Sequence, residues 1–82
     1  MDKETELYYD DLLEMFNQEG WNNFIKDLNN MNKSLIESSP TACETNDQWQ
    51  YRRGQLEILN YMINYEALMN NALDELESNV KH

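Results

Sequence analysis

The fold class is decided by residues 47–78, DQWQYRRGQLEILNYMINYEALMNNALDELES. This stretch has no proline and one glycine, Gly54, and its apolar residues recur at alternating spacings of four and three. Such a repeat is typical of a helix that packs along one side. The residues that form this repeat are Ile58, Met62, Tyr65, Met69, Ala72 and Leu76. The pattern predicts one long helix from about residue 47 to residue 78.

A second apolar stripe lies on another face of the same helix, roughly 100° or more around its axis. Its members are Trp49, Leu56, Leu59 and Ile63. A helix that is apolar on two sides favours two neighbours. We therefore predict that this stripe is an interface with a second chain. The alternative is that the N-terminal segments cover both sides of the long helix within one chain.

The N-terminal half shows helical apolar spacing from about residue 4 to residue 36, interrupted near Gly20. Whether Gly20 kinks or breaks this arm is left open, although a glycine just past a helix end is typical of a stop. Residues 37–47 are rich in Ser, Thr and Asn and contain the only proline, Pro40, which predicts a loop. Thr41–Glu44 or Asp47 could cap the next helix.

These segments predict an all-α fold with a single domain over residues 1–82. The arm, about residues 4–36, should pack as one side of a helical hairpin on the long helix. A chain of this size buries only about 60% of its unfolded surface, so we expect a homo-oligomer. Two glycines and one proline are also too few for the turns of a sheet protein.

The chain has sixteen acidic and six basic residues, a net charge of −10. This balance argues against direct binding of nucleic acid, which needs a basic surface. The sequence contains no run of eighteen apolar residues, so no membrane span is predicted. Acidic residues gather on the first segment, where Asp10, Asp11 and Glu14 form an outer face. This face either keeps the protein soluble, the reading we favour, or docks on a basic partner by resembling DNA phosphates.

Few residues suit catalysis or metal binding. His82 is the only histidine and Cys43 the only cysteine, so neither a zinc site nor a thiolate pair can form within one chain. We predict no enzyme activity, no metal and no cofactor, and consider a small ligand a minor option.

Arg52 and Arg53 precede Gly54 near the start of the long helix, where cations oppose the helix dipole and glycine is unfavourable. This combination suggests a tertiary role. We expect the arginines to form ion pairs with a carboxylate of the first segment or of a partner. Gly54 is predicted to allow close approach of another backbone.

Two sequence segments carry a resemblance to a known group of proteins: residues 15–24, MFNQEGWNNF, and residues 52–61, RRGQLEILNY. Together they resemble small acidic helical proteins of tailed bacteriophages, with a Phe, a short spacer and Gly-Trp before a helix with a basic, Gly-Gln, aliphatic element. The resemblance spans about residues 7–68 and implies an all-helical protein in a phage context, with no catalytic residues to carry over.

We therefore expect a non-enzymatic protein-binding module, a minor structural or assembly accessory of a phage particle. The alternative is an acidic phage inhibitor of a host nucleic-acid-binding or defence protein, acting as a DNA mimic or as a nucleotide sponge. Either function places the protein in the cytoplasm of an infected bacterial host, with incorporation in the virion open.

Overall fold

The computed structural model describes residues 2–80, except the side chain of Val80, and within this range it contains helices and no strand. The all-α class predicted from the sequence is therefore confirmed. The four helices are α1 (Lys3–Phe16), α2 (Glu19–Ala42), α3 (Asn46–Ile63) and α4 (Tyr65–Val80). No helix of this described range is both long enough and apolar enough to cross a bilayer.

The chain divides into two compact units. The terminal unit comprises residues 1–22 and 64–82, and the central unit comprises residues 23–63. Each unit has its own buried side chains. The prediction of one domain over residues 1–82 stays a prediction.

Asp2 caps the first helix. Its backbone is extended and its Oδ1 atom accepts a 2.7 Å hydrogen bond from the backbone N–H of Thr5. This bond satisfies one of the free N–H groups at the start of α1. The hydrogen bond from the Thr5 backbone also lowers the pKa of Asp2 below its usual value, because it favours the charged carboxylate.

The first helix ends before Gly20. Asn17 has a right-handed backbone with φ −87°, and the N–H groups of Asn17 and Gln18 bond to the carbonyls of Glu14 and Met15. Gly20 lies inside α2, and no residue of the described chain has a positive φ. The predicted role of Gly20 as the stop is therefore wrong, because a tight right-handed turn closes α1 without a left-handed residue.

The predicted loop over residues 37–47 is too long, because α2 continues through Pro40 to residue 42. Hydroxyl groups explain this extension. Ser39 Oγ donates to the carbonyl of Leu35 at 2.6 Å, and Thr41 Oγ1 donates to that of Ser38 at 3.0 Å. Ser and Thr side chains that bond to the preceding turn are compatible with a helix, although their composition is typical of a loop.

The third helix begins with a capping box that the sequence interpretation placed elsewhere. The N–H of Gln48 donates to Thr45 Oγ1 at 3.2 Å, and Gln48 Oε1 accepts from the N–H of Thr45 at 3.0 Å. This reciprocal pair is the Thr-x-x-Gln form of the box. Neither Thr41 nor Asp47 is the cap, so both predicted caps were wrong.

The long helix predicted over residues 47–78 is divided at Asn64 into α3 and α4. Its carbonyl accepts a 3.0 Å bond from the N–H of Leu68. Asn64 thus opens α4 as an N-terminal capping position, a place where asparagine is favoured. The apolar repeat continues across this position, so periodicity alone did not reveal the break.

An aromatic cluster forms the core of the terminal unit, in which α1 contacts α4. Phe16 is buried, with its ring centre 5.0 Å from that of Trp21 and 5.9 Å from that of Tyr65. The indole N–H of Trp21 donates to Glu66 Oε1 at 3.2 Å. The Phe-spacer-Gly-Trp string is therefore a core element, since its two aromatic residues pack together.

The central unit pairs α3 with the part of α2 from residue 23 onward, and residues 43–45 connect the two helices. Its buried residues are Leu28, Ser39, Cys43 and Leu59. Leu28 and Leu59 are each 5% exposed. Two helices can cover only the side that each turns to the other, so the flanks of this pair remain open.

Candidate functional site

An open apolar groove of about 520 Å³ lies between α2 and α3 in the central unit. Its apolar lining consists of Met31, Leu35, Tyr51, Ile58, Leu59 and Met62. Gly54 and the glutamines Gln50 and Gln55 complete it. Among the residues that the structure describes, none of those lining the groove is charged.

Three of these side chains are more exposed than a core would leave them. Tyr51 is 73% exposed, Ile58 62% and Met31 53%. Single exposed apolar residues are normal on a protein surface, but a contiguous apolar groove marks a binding surface. We therefore take this groove, hereafter the central groove, as the candidate functional site.

The position of the groove follows from the geometry of α3. At 100° per residue, Ile58 and Met62 lie about 60–100° to one side of Leu59, and Trp49 and Leu56 lie about 60–80° to the other. Leu59 faces α2 between them and is buried. On α3, Ile58 and Met62 of the first stripe thus lie on one flank of the buried Leu59, and Trp49 and Leu56 of the second stripe lie on the other.

The predicted interface residues divide between these environments. Leu59 is already covered within the chain, Leu56 and Ile63 are half-buried, and Trp49 is 44% exposed. Trp49 and Leu56 line a smaller cavity of about 310 Å³ with Gln50, Arg52 and Arg53. Assignment of this flank to an interface stays a prediction, but Leu59 offers little surface to another chain.

The interface residues predicted from the sequence include neither Tyr51 nor Met31, which both line the groove. A signal for Tyr51 was present, because it precedes Ile58 by seven residues and Met62 by eleven, which places all three on one side of a helix. The heptad seam was started at Ile58, one repeat too late.

Arg52 forms hydrogen bonds within the central unit, and its predicted ion pair with the first segment or with a partner stays a prediction. Its Nη1 atom donates to the Leu35 carbonyl at 2.8 Å and lies 3.1 Å from Ser38 Oγ and 3.4 Å from Ser39 Oγ. The guanidinium thus binds a carbonyl and two hydroxyl groups in the C-terminal half of α2, and hydrogen bonds from a charged donor are among the stronger ones. This contact fixes α3 to α2 and explains a cation in an otherwise unfavourable position.

Arg53 has a different environment. Its Nε lies 3.6 Å from Glu57 Oε1, one helical turn later, and both side chains are at least 70% exposed. Such a pair contributes little to stability. Arg53 therefore pairs within α3, and its predicted pairing with the first segment or with a partner stays a prediction.

The two arginines give a matched test of this difference. We expect Arg52→Ala to lower the free energy of unfolding by about 1.5–3 kcal/mol, because hydrogen bonds from a charged group are lost. Arg53→Ala should change it by less than about 0.5 kcal/mol. Urea denaturation followed by circular dichroism measures both. Equal losses would contradict the role of Arg52 in joining the helices.

Gly54 is not a close-packing glycine within the chain. A Cβ atom added at Gly54 would have no neighbour within 4 Å, so the predicted approach of another backbone is wrong for the single chain. Gly54→Ala should therefore raise the free energy of unfolding by about 1 kcal/mol, since alanine favours a helix interior. The measurement is urea denaturation of the dilute protein. A loss of stability would indicate a neighbour outside the chain.

The acidic face predicted on the first segment is exposed, since Asp10, Asp11 and Glu14 all lie at the surface of α1. Charge also divides between the units. The terminal unit has two basic and eleven acidic residues, net −9, whereas the central unit has four basic and five acidic residues, net −1. The acidity is therefore a property of the terminal unit.

No cluster of three potential metal ligands occurs among the residues that the structure describes. Cys43 is a buried free thiol whose sulfur lies 3.8 Å from the Gln48 carbonyl, and His82 lies outside the described residues. Comparison with protein-family models, with curated proteins and with solved structures finds no match to this chain.

Proposed function

We propose that the protein is a helical protein-binding module that binds through the central groove. The observation that supports this most is the exposure of Tyr51, Ile58 and Met31 around one uncharged apolar groove. The buried centres of protein interfaces are apolar, depleted of charge and enriched in Tyr and Met, as this groove is. The central unit would act as a helical hairpin that offers one side to its partner.

The chemistry of the groove favours protein over other ligands. A small molecule normally has most of its surface buried by its site, and here three of the lining side chains are themselves more than half exposed. A nucleic acid would need cations, and none lines the groove. A helix with an apolar face of its own fits these properties best.

The setting we propose is a bacteriophage, in which the protein is a minor structural or assembly accessory. This proposal is supported by the resemblance in residues 15–24 and 52–61 alone. It includes self-association, a location in the infected host or the virion, and the absence of enzymatic activity.

The proposal is tested by recovering tagged protein from cells in which it acts, in three forms. These are the wild type, Ile58→Glu in the groove, and Ile36→Glu as a matched control. Ile36 is 53% exposed on α2 and does not line the groove. We expect the wild type and Ile36→Glu to retain the same partner and Ile58→Glu to lose it. Retention by all three, or by none, would rule out the groove as a binding surface.

A second candidate function draws on the charge of the terminal unit. Its net −9, with Asp10, Asp11 and Glu14 exposed on α1, suits an acidic inhibitor that docks on a basic protein. Such a complex should weaken steeply when the salt concentration is raised from about 0.05 M to about 0.5 M, because salt screens the attraction between exposed charges. It should also weaken when the three carboxylates are replaced by amides. Binding that is indifferent to both changes would exclude it. The nucleotide-sponge form has less support, because Arg52 and Arg53 already have partners.

A further inference from the structure

We infer that the central unit has a binding site for a small monocarboxylate in a polar cavity beside Arg52. The cavity has a volume of about 430 Å³ and is lined by the C-terminal half of α2, the connection that follows it and the first turns of α3. This volume is typical of a small-molecule site. The described residues that line it all belong to the central unit, and Met31 and Ile58 of the central groove are not among them. The site is therefore additional to the proposed protein-binding function.

Arg52 is a half-buried cation that lines this cavity. Within the described central unit, no carboxylate forms an ion pair with it. Its hydrogen bonds all start from the Nη1 atom, so the N–H groups on Nε and Nη2 have no acceptor within this unit. Charged groups that are partly withdrawn from water are normally paired. An anion in the cavity would provide the missing partner.

Two glutamine amides add hydrogen-bond donors to the same lining. Gln48 Oε1 accepts from the backbone N–H groups of Glu44 and Thr45, at 2.6 and 3.0 Å. These bonds occupy the amide oxygen, so the Nε2 group of Gln48 remains free to donate. Gln55 is half-buried, and its amide has no hydrogen-bond partner among the described residues. The polar part of the lining is thus rich in donors, which suits a ligand that accepts.

The lining favours a carboxylate with a short hydrocarbon chain over other anions. A planar guanidinium matches a carboxylate, because two parallel N–H groups can bond to its two oxygens. Leu35, Ala42 and Tyr51 supply an apolar part of the lining, which suits a hydrocarbon chain. Asp47 lines the same cavity, so a dianion such as sulfate would be repelled more strongly than a monoanion.

A free ligand and a protein side chain offer the same carboxylate group. We assign the cavity to the free ligand, because an aspartate or glutamate side chain has no terminal hydrocarbon group for the apolar part of the lining. The two sources differ in their response to added ligand. A cavity that already holds a carboxylate of a protein does not bind a further one.

NMR titration of the isotope-labelled protein with sodium butyrate tests this inference. The butyrate concentration is raised to about 50 mM, because so small a ligand should bind with a dissociation constant of about 1–10 mM. Sodium chloride keeps the ionic strength constant. We expect saturable shifts of the signals from the side-chain amides of Gln48 and Gln55 and from the backbone around them. Butyramide, the neutral analogue of similar shape, and sulfate should cause no saturable shift there.

Two variants and a matched control locate the site. Arg52→Lys retains the charge but loses the planar donor pair, so butyrate binding should weaken about tenfold or more. Gln55→Leu should weaken binding about three- to tenfold, the effect of one hydrogen bond. Its helix content should equal that of the wild type, because the Gln55 amide has no partner to lose. Arg53→Lys is the control, since Arg53 is not among the residues that line the cavity, and it should bind butyrate as the wild type does.

The inference is overturned if butyrate causes no saturable shift, which would also be the result if a protein carboxylate already occupied the cavity. Shifts that butyramide or sulfate reproduces would overturn the carboxylate class. Unchanged binding by Arg52→Lys would exclude the site, and if circular dichroism shows that this variant does not fold, unchanged binding by Gln55→Leu excludes it instead. The proposed function is judged separately, by the partner that Ile58→Glu loses, because Ile58 does not line this cavity.

Discussion

Replacement of Phe16 by alanine is expected to remove about 3–5 kcal/mol of stability, the usual loss for a buried phenylalanine. Among the described residues of the terminal unit, Phe16 is the buried one, and its ring contacts those of Trp21 and Tyr65. A chain of this length is stable by only about 4–12 kcal/mol in total, so the loss is a large part of the whole.

Two measurements locate this effect. Urea denaturation followed by circular dichroism gives the change in free energy, and amide hydrogen exchange shows where protection is lost. We expect exchange to increase first in α1 and α4, because Phe16 belongs to the unit in which these helices contact each other. Leu7→Ala is the control, since Leu7 lies on the same helix and is 54% exposed. A loss no greater than that of Leu7→Ala would contradict the role of the aromatic cluster.

The fold class could be predicted because it depends on features that every helix shares. Scarce glycine and proline with apolar residues at spacings of three and four exclude a sheet regardless of how the helices pack. The breaks between helices were harder, because the apolar repeat does not record them. At Asn64 the repeat continues unchanged, although α3 ends at Ile63 and α4 begins at Tyr65.

Residues with two possible roles misled the sequence interpretation in the second half of α2. Ser39 and Thr41 are as compatible with a loop as with a helix, and only their hydroxyl bonds to the preceding turn distinguish the two. Pro40 lies two residues before Ala42, the last residue of α2, so the missing N–H interrupts the helical hydrogen bonds only in the last turn.

The candidate site shows the same limit. Periodicity located two apolar stripes, but it could not show that α2 covers Leu59. It therefore could not show that Ile58 and Met62 remain on one flank of α3 and Trp49 and Leu56 on the other. It also could not assign Arg52, because the acceptor of its strongest bond is a backbone carbonyl, that of Leu35. Sequence patterns report side chains, whereas this contact depends on which carbonyl the fold brings near.

The second large effect concerns Leu59, whose replacement by alanine should remove about 2–5 kcal/mol from the central unit. Leu59 is 5% exposed on the line of α3 that faces α2, so truncation leaves a cavity between the helices. Its neighbour Ile58 provides a matched comparison, because the two leucine-sized side chains are adjacent in sequence and differ in exposure. In a single chain, Ile58→Ala should change stability by less than about 0.5 kcal/mol.

Protein concentration separates the two residues further. Leu59 is covered by its own chain, so the loss from Leu59→Ala should be nearly the same in dilute and concentrated protein. If the proposed self-association uses the central groove, a second copy covers Ile58, and the effect of Ile58→Ala should grow with concentration. Thermal unfolding at 1 and 100 µM, which are roughly the limits of micromolar association, measures this. If both variants lose stability equally at both concentrations, Ile58 contributes within the single chain and the central groove is not where copies meet.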